Sequence, residues 1–312
     1  MPAEAALAAR SAPTPWRPAT GRPVFVAEVS SNHAVDLARC RAFIAAAADA
    51  GCQAVKFQLF RLDGLFAPEI LARSAEHRRR REWELPPGFV PELAAVARER
   101  GLGFGCTPFD LRGVDELAPH VDFLKVASYE ILWRPLLERC GATGLPLVLS
   151  TGMATLGEVR EAVTWAVAAG ARDVTVLHCV SHYPCRPQSC NLAAIATLRH
   201  ELAAAAAPAR LRCGWSDHSV SPAVVLRAVH RWGAEMVELH LDLDGRGAEY
   251  ATGHCWLPGA LRSLVETAGD GAVADGDGRK QPAACEEQER LWRADPEDGL
   301  RPLRSIRAEF AP

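Results

Sequence analysis

Ionisable and hydrogen-bonding residues collect at the ends of eight short apolar runs, one set to each run. The first run closes on Glu28, followed by Asn32 and His33; the second carries Lys56 and Gln58; the third closes on Thr107, ahead of Asp110. The fourth carries Lys125, then Ser128 and Glu130; the fifth closes on Ser150 and Thr151; the sixth carries His178, then Ser181, His182 and Tyr183. The seventh ends in Ser216-Asp217-His218, and the eighth holds Glu238 and His240, followed by Asp242 and Asp244. Side chains alternate along a strand, so Lys56 and Gln58 share a face, as do Glu238 and His240. Two lysines among several hydroxyls make a cradle for a dianionic, phosphorylated acid: lysine supplies point charge, and hydroxyls and backbone amides supply directed donors. Two neutral imidazoles, His218 and His240 from neighbouring strands, suit a divalent transition ion with open positions, such as Mn2+. A single Lys or His at a strand end is ordinarily solvated or structural; repetition over eight runs turns the reading toward a site. Ser216-Asp217-His218 is not a hydrolase triad, because consecutive strand residues cannot all face the same way.

Elements must bring these residues together. Strands are predicted at residues 24–29, 53–59, 102–107, 123–128, 146–151, 174–179, 211–216 and 235–241. Helical segments are predicted at 36–50, 87–100, 112–117, 133–140, 156–169, 192–206, 221–232 and 258–268. Such alternation implies a parallel sheet with helical crossovers. Eight units in about 250 residues fit a closed (β/α)8 TIM barrel of the α/β class. A doubly wound open sheet is the alternative, but no Gly-x-Gly-x-x-Gly follows the first strand to bind a dinucleotide. Residues 1–20 read as a flexible arm and 21–268 as the barrel. Residues 269–312 read as an extension across its surface, not a second domain. An insertion at 61–86 carries Arg78-Arg79-Arg80-Arg81, expected as a solvated face or subunit contact. In a barrel, chemistry belongs at the C-terminal strand ends, where the polar residues stand.

Composition narrows the classes. Across 312 residues, 49% hydrophobic and 23% charged content excludes a disordered or collagen-like chain. A net charge of −3 lacks the basic surplus of a general nucleic-acid binder. No apolar run approaches the ~18 residues of a membrane span, and no secretory pattern opens the chain. Ten cysteines occur without a Cys-x-x-Cys pair, so buried free thiols in a reducing cytoplasm are expected rather than a zinc ribbon or disulfide framework.

Eight segments together resemble the N-acetylneuraminate (sialic acid) synthase family. They are Ala27-Glu28-Val29-Ser30-Ser31-Asn32-His33, Val55-Lys56-Phe57-Gln58, Thr107-Pro108-Phe109-Asp110 and Leu124-Lys125-Val126-Ala127-Ser128, followed by four more. Those four are Leu149-Ser150-Thr151-Gly152-Met153-Ala154-Thr155, Leu177-His178-Cys179-Val180-Ser181-His182-Tyr183-Pro184, Trp215-Ser216-Asp217-His218 and Glu238-Leu239-His240. The resemblance implies a TIM-barrel transferase that condenses phosphoenolpyruvate with an amino-sugar aldehyde to a 2-keto sugar acid plus phosphate. It implies that Lys56, Thr107, Lys125, Ser128, Ser150, Ser181 and Ser216 hold phosphoenolpyruvate, and that His218 and His240 ligate a divalent metal. That metal is expected to be Mn2+, with Mg2+ or Co2+ as alternatives. Glu28 and Glu130 match carboxylates near the reacting centre, and Gln58 and Tyr183 match positions that touch the sugar. A homodimer is also implied.

Three departures stand out. Ala34-Val35 replace a frequent Asn-Gly. The loop Asp244-Gly245-Arg246-Gly247-Ala248-Glu249-Tyr250 replaces a Pro-Gly-Pro-Asp sugar loop, with Glu249 as a stand-in for the sugar contact. Nothing after Gly269 reads as the antifreeze-like domain that many members carry. The acceptor is therefore open between a sialic-acid-type amino sugar and another aldehyde of specialised metabolism. Two other readings compete: a Schiff-base aldolase using Lys125 with free pyruvate, and a non-catalytic sugar-binding barrel.

Overall fold

The computed structural model describes residues 22–307 and 309. The arm expected at residues 1–20 lies outside them. Eight parallel strands form the sheet: β1 (Val24–Glu28), β2 (Ala54–Leu59), β3 (Gly103–Pro108), β4 (Phe123–Val126), β5 (Leu147–Ser150), β6 (Asp173–Cys179), β7 (Arg210–Asp217) and β8 (Met236–His240). Each pairs with the next, and β8 pairs with β1, Glu28 standing opposite His240. The sheet is closed, which excludes the open-sheet alternative that the same strand–helix alternation allows.

Side-chain alternation divides the strands into a barrel interior and a helix-facing exterior. Val24, Val26, Ala54, Phe123, Val148, Leu177 and Met236 pack together as an apolar floor inside the barrel. Two residues further along the same strands, on the same face, stand Glu28, Lys56, Lys125, Ser150, Cys179 and Glu238. The interior thus changes from hydrocarbon to polar groups within one strand repeat, on moving toward the C-terminal end. Gly105 makes the floor possible: a Cβ there would overlap the ring of Phe123, which fills that space. The intervening residues, such as Val55, Phe57 and Leu59 of β2, face outward into the larger core beneath the helices. Burying each such side chain contributes about 1.5–3 kcal/mol.

The helices are α1 (Leu37–Asp49), α2 (Val90–Glu99), α3 (Leu111–Leu117), α4 (Arg134–Ala142), α5 (Leu156–Ala168), α6 (Ala194–Glu201), α7 (Pro222–His230) and α8 (Pro258–Ala274). Local signals start several of them. Asp36 caps α1 by accepting from the Ala38 and Arg39 amides, and Thr155 with Glu158 forms a reciprocal capping box on α5. The helix predicted at 192–206 is divided at Leu202, whose side chain is fully buried. The helix predicted to end at 268 runs on to Ala274, since a glycine inside a helix costs only about 1 kcal/mol. Gly271 lets that helix pass against the ring of His230.

The insertion folds into short helical turns. Arg80 lies over the rings of Phe66 and Trp83, and Arg81 pairs with Asp63, so part of the arginine run fastens the insertion itself. Residues Val273–Pro312 form a separate compact unit. Within it, Asp298 pairs with Arg304 and Arg307, and Asp295 accepts the backbone amides of Glu297 and Arg304. No strand occurs among its described residues.

Candidate active site

A cavity opens above the apolar floor at the C-terminal end of the barrel. Ten of the residues expected at the site line it: Glu28, Lys56, Gln58, Lys125, Ser128, Ser150, Tyr183, Ser216, His218 and His240. Ala127, Tyr129, Cys179 and Glu238 complete the wall.

The charged groups form one network. Lys56 Nζ lies 2.6 Å from Glu28 Oε2, 2.8 Å from Thr107 Oγ1 and 3.8 Å from Glu238 Oε2. Lys125 Nζ lies 3.9 Å from Glu238 Oε1 and donates to the Val126 carbonyl. Ser216 donates to Glu238 at 3.0 Å, and Gln58 donates to Glu28 at 2.7 Å. Burial pulls the Lys56 pKa down, but Glu28 and Glu238 more than offset it, so Lys56 stays a cation. At Lys125 burial prevails over the attraction of Glu238, and the pKa falls below the ordinary lysine range. Burial would raise Glu238, yet Lys125 and Lys56 hold it down at about 2.

Four expected residues stand outside the lining. Thr107 is spent on Lys56. Ser181 keeps a buried hydroxyl with no partner among the described residues, as does Ser150 in the cavity wall. Buried orphan hydroxyls are uncommon, and these two are free to donate to a bound group. Glu130 sits in the turn Ser128–Glu130 after β4, with Oε2 buried and without a hydrogen-bond partner among the described residues. Burial pushes its pKa up to about 7. Glu249, expected at the sugar, is turned instead toward other protein groups: it accepts from Ser30 at 2.5 Å and lies 3.2 Å from His240 Nδ1. Its position follows from the loop, because its backbone amide donates to Asn32 Oδ1 at 2.8 Å.

The imidazoles divide by role. His218 Nδ1 lies 2.8 Å from the Val180 carbonyl. A carbonyl only accepts, so Nδ1 carries the proton and Nε2 keeps its lone pair. Burial lowers the His218 pKa, which keeps the ring neutral. The rings of His218 and His240 are 5.3 Å apart, and both face the cavity, an arrangement that fits one shared divalent ion. By contrast His178 bonds to the Cys190 carbonyl and His33 accepts the Val35 amide, so these two serve the scaffold. Asp217 accepts from the indoles of Trp215 and Trp256 and from Ser219, away from the cavity, in keeping with the absence of a triad.

Two features exceed the sequence reading. Alternation places Glu238 on the face of His240 but assigns it no role; the structure puts it between both lysines. His254 has no strand signal at all. It arrives because Trp256 pairs back onto Leu241, just past β8, its amide donating to the His240 carbonyl at 2.7 Å. The His254 ring then stands 4.6 Å from that of His240 and 4.8 Å from that of Tyr183.

The sequence profile of the NeuB family matches residues 43–280. The spore coat polysaccharide biosynthesis protein SpsE of Bacillus subtilis is 34% identical over 255 residues, covering 78% of this chain and 66% of that protein. The N,N'-diacetyllegionaminic acid synthase of Legionella pneumophila is 32% identical over 278 residues, covering 83% of this chain and 74% of that protein. This chain thus spans just under two thirds of the B. subtilis relative's length. The crystal structure of N-acetylneuraminic acid (sialic acid) synthetase from Leptospira borgpetersenii, in complex with citrate, superposes with a TM-score of 0.74 at 30% identity. It covers 86% of this chain and 90% of that one.

Proposed function

Since this chain belongs to the NeuB family, we propose that it is a transferase condensing phosphoenolpyruvate with an amino-sugar or related aldehyde, giving a 2-keto-3-deoxy sugar acid and phosphate. The observation that carries this reading is the pair of buried lysines, Lys56 and Lys125, ringed by serines around one cavity at the C-terminal barrel end. Lys56, Lys125, Ser128, Ser150 and Ser216 hold the phosphorylated acid, with Thr107 fixing Lys56 and Ser181 offering a hydroxyl unpartnered among the described residues. Glu28 and Glu238 balance the two ammonium groups, so the walls bring little net charge to a dianion. A divalent ion at His218 and His240, Mn2+ in this reading, supplies the missing positive charge and Lewis-acid polarisation of the acceptor aldehyde when bound.

The enol C3 of phosphoenolpyruvate attacks the aldehyde carbon, and positive charge develops at C2. Glu28, in the cavity wall beside Lys56, stabilises the cation electrostatically. Water adds at C2, and loss of phosphate from the tetrahedral intermediate leaves the 2-keto acid. Glu130, with its pKa near neutrality, is suited to take and return a proton. Gln58 and Tyr183 face the acceptor. Because the loop after β8 turns Glu249 toward His240, the acceptor is proposed to be a sugar-like aldehyde other than that of N-acetylneuraminate synthesis, such as a diacetamido-trideoxyhexose. The protein is proposed to act in the cytoplasm as a homodimer; no described helix is long and apolar enough to cross a membrane.

The test is phosphate release from phosphoenolpyruvate with Mn2+ and a panel of amino-sugar aldoses. Sugar-dependent release is expected. The lowered pKa of Lys125 favours one rival, a Schiff-base aldolase. Borohydride trapping of pyruvate on Lys125, with no phosphate released for any sugar, would replace the synthase reading by that one.

A further inference from the structure

The loop that follows β8 brings a second set of metal-ligating atoms against His240. One atom each from His240, Glu249, His254 and Cys255 lies within 4.8 Å of all the others. Around a tetrahedral zinc ion, bonds of about 2.0–2.3 Å set the ligand atoms about 3.3–3.8 Å apart. The widest pair must therefore close by about 1 Å to enclose an ion, while Glu249 Oε2 already stands 3.2 Å from His240 Nδ1 and 3.5 Å from His254 Nε2. His240, His254 and Cys255 are buried, and Glu249 is partly so.

Each of the three loop ligands also has an orienting partner. Thr252 Oγ1 bonds His254 Nδ1, which leaves Nε2 toward Glu249 at 3.5 Å. Ser30 holds Glu249 Oε1, leaving Oε2 toward both imidazoles. Asn32 Nδ2 points at Cys255 Sγ from 3.5 Å, while its Oδ1 holds the Glu249 amide. Outer contacts of this kind aim ligands in metal sites.

We propose that His240, Glu249, His254 and Cys255 bind a thiophilic divalent cation, Zn2+ or Co2+. Two nitrogens, one carboxylate oxygen and one sulfur form a donor set that selects such ions over Mn2+ or Mg2+. His240 belongs both to this set and to the pair with His218, so an ion on the loop set competes with that pair for one imidazole. The binding is a property of the loop and stands whether or not the condensing reaction does.

The experiment is a titration of metal-free full-length protein with Co2+, read by absorption. A thiolate-to-cobalt charge-transfer band in the near ultraviolet is expected at one equivalent, displaced by Zn2+ and not by Mn2+. Cys255→Ser should abolish that band, His254→Ala should weaken Co2+ binding by about tenfold or more, and His218→Ala should leave the band in place. Cobalt binding to the parent without a thiolate band overturns the proposal, with no variant needed. Loss of the band in His218→Ala, with Cys255→Ser unchanged, overturns it as well. Failure of the synthase reading is seen separately, as absence of phosphate release.

Discussion

Glu130 and Glu238 show how two carboxylates in one barrel are driven apart. Glu130 is buried without an ion-pair partner as close as those of Glu238, and its pKa rises from 4.5 to about 7. Its contribution to stability is full below pH 4.5 and is lost as the pH rises through about 7, because the folded state then holds a buried charge. Glu130→Gln should therefore raise stability by about 2 kcal/mol at about pH 8.5 and leave it unchanged at about pH 4, as read by thermal melts. The same folded variant should lose phosphate release; turnover at the parent rate would remove Glu130 from the chemistry. Glu238 is the opposite case, held ionised at about 2 between two ammonium groups. Glu238→Gln should cost about 3 kcal/mol in urea unfolding, since it leaves Lys125 a buried charge without its counterion. Adding Lys125→Met should recover much of that loss; equal losses with and without it would mean the two do not act as a pair. The types of these residues were legible in the sequence. Their opposite titration was not, because it depends on which neighbours closure of the barrel supplies.

At the scale of elements, the loop after β1 carries the clearest strain. Ser30, Ala34 and Val35 all have positive φ, at 48°, 52° and 55°. A β-branched side chain in this region is costly, by roughly 1–2 kcal/mol. Here the frequent Asn-Gly of the resembling family is replaced, and the turn persists because Asp36 caps α1 and the Val35 amide bonds to His33. Val35→Gly should raise stability by about 1 kcal/mol in a thermal melt. A fall instead would show that packing of the valine outweighs its backbone strain. The strands were readable as short apolar runs that end in polar residues, and in β1, β2, β4, β5 and β8 an apolar floor residue, an outward apolar residue and an inward polar residue follow one another. Helix ends were less readable. Gly269 and Gly271 resemble a stop, yet α8 runs through them, since contact with His230 rather than local propensity decides the path there.

For the whole molecule, ligand binding and folding are linked. The cavity takes residues from β1, β2 and β4–β8 or the loops that follow them, so an anion that fills it ties most of the ring together. Phosphoenolpyruvate at about a hundred times its Kd should add about 2.7 kcal/mol and raise Tm by about 5–10 °C. No shift at saturating concentration would count against the lysine–serine cradle. The sequence by itself determined the eight strand–helix units and the identity of the polar residues at their ends. Strand periodicity dictates which side chains share a face, but an open doubly wound sheet also buries both faces under helices, so closure was decided by the pairing of β8 with β1. Tertiary structure alone decided what those residues do to one another. Closure set Glu238 between Lys56 and Lys125, and the return of Trp256 onto Leu241, just past β8, set His254 and Cys255 beside His240. These contacts join residues with no shared period, through a loop whose path depends on hydrogen bonds to Asn32 and the end of β8, more than two hundred residues apart in the chain.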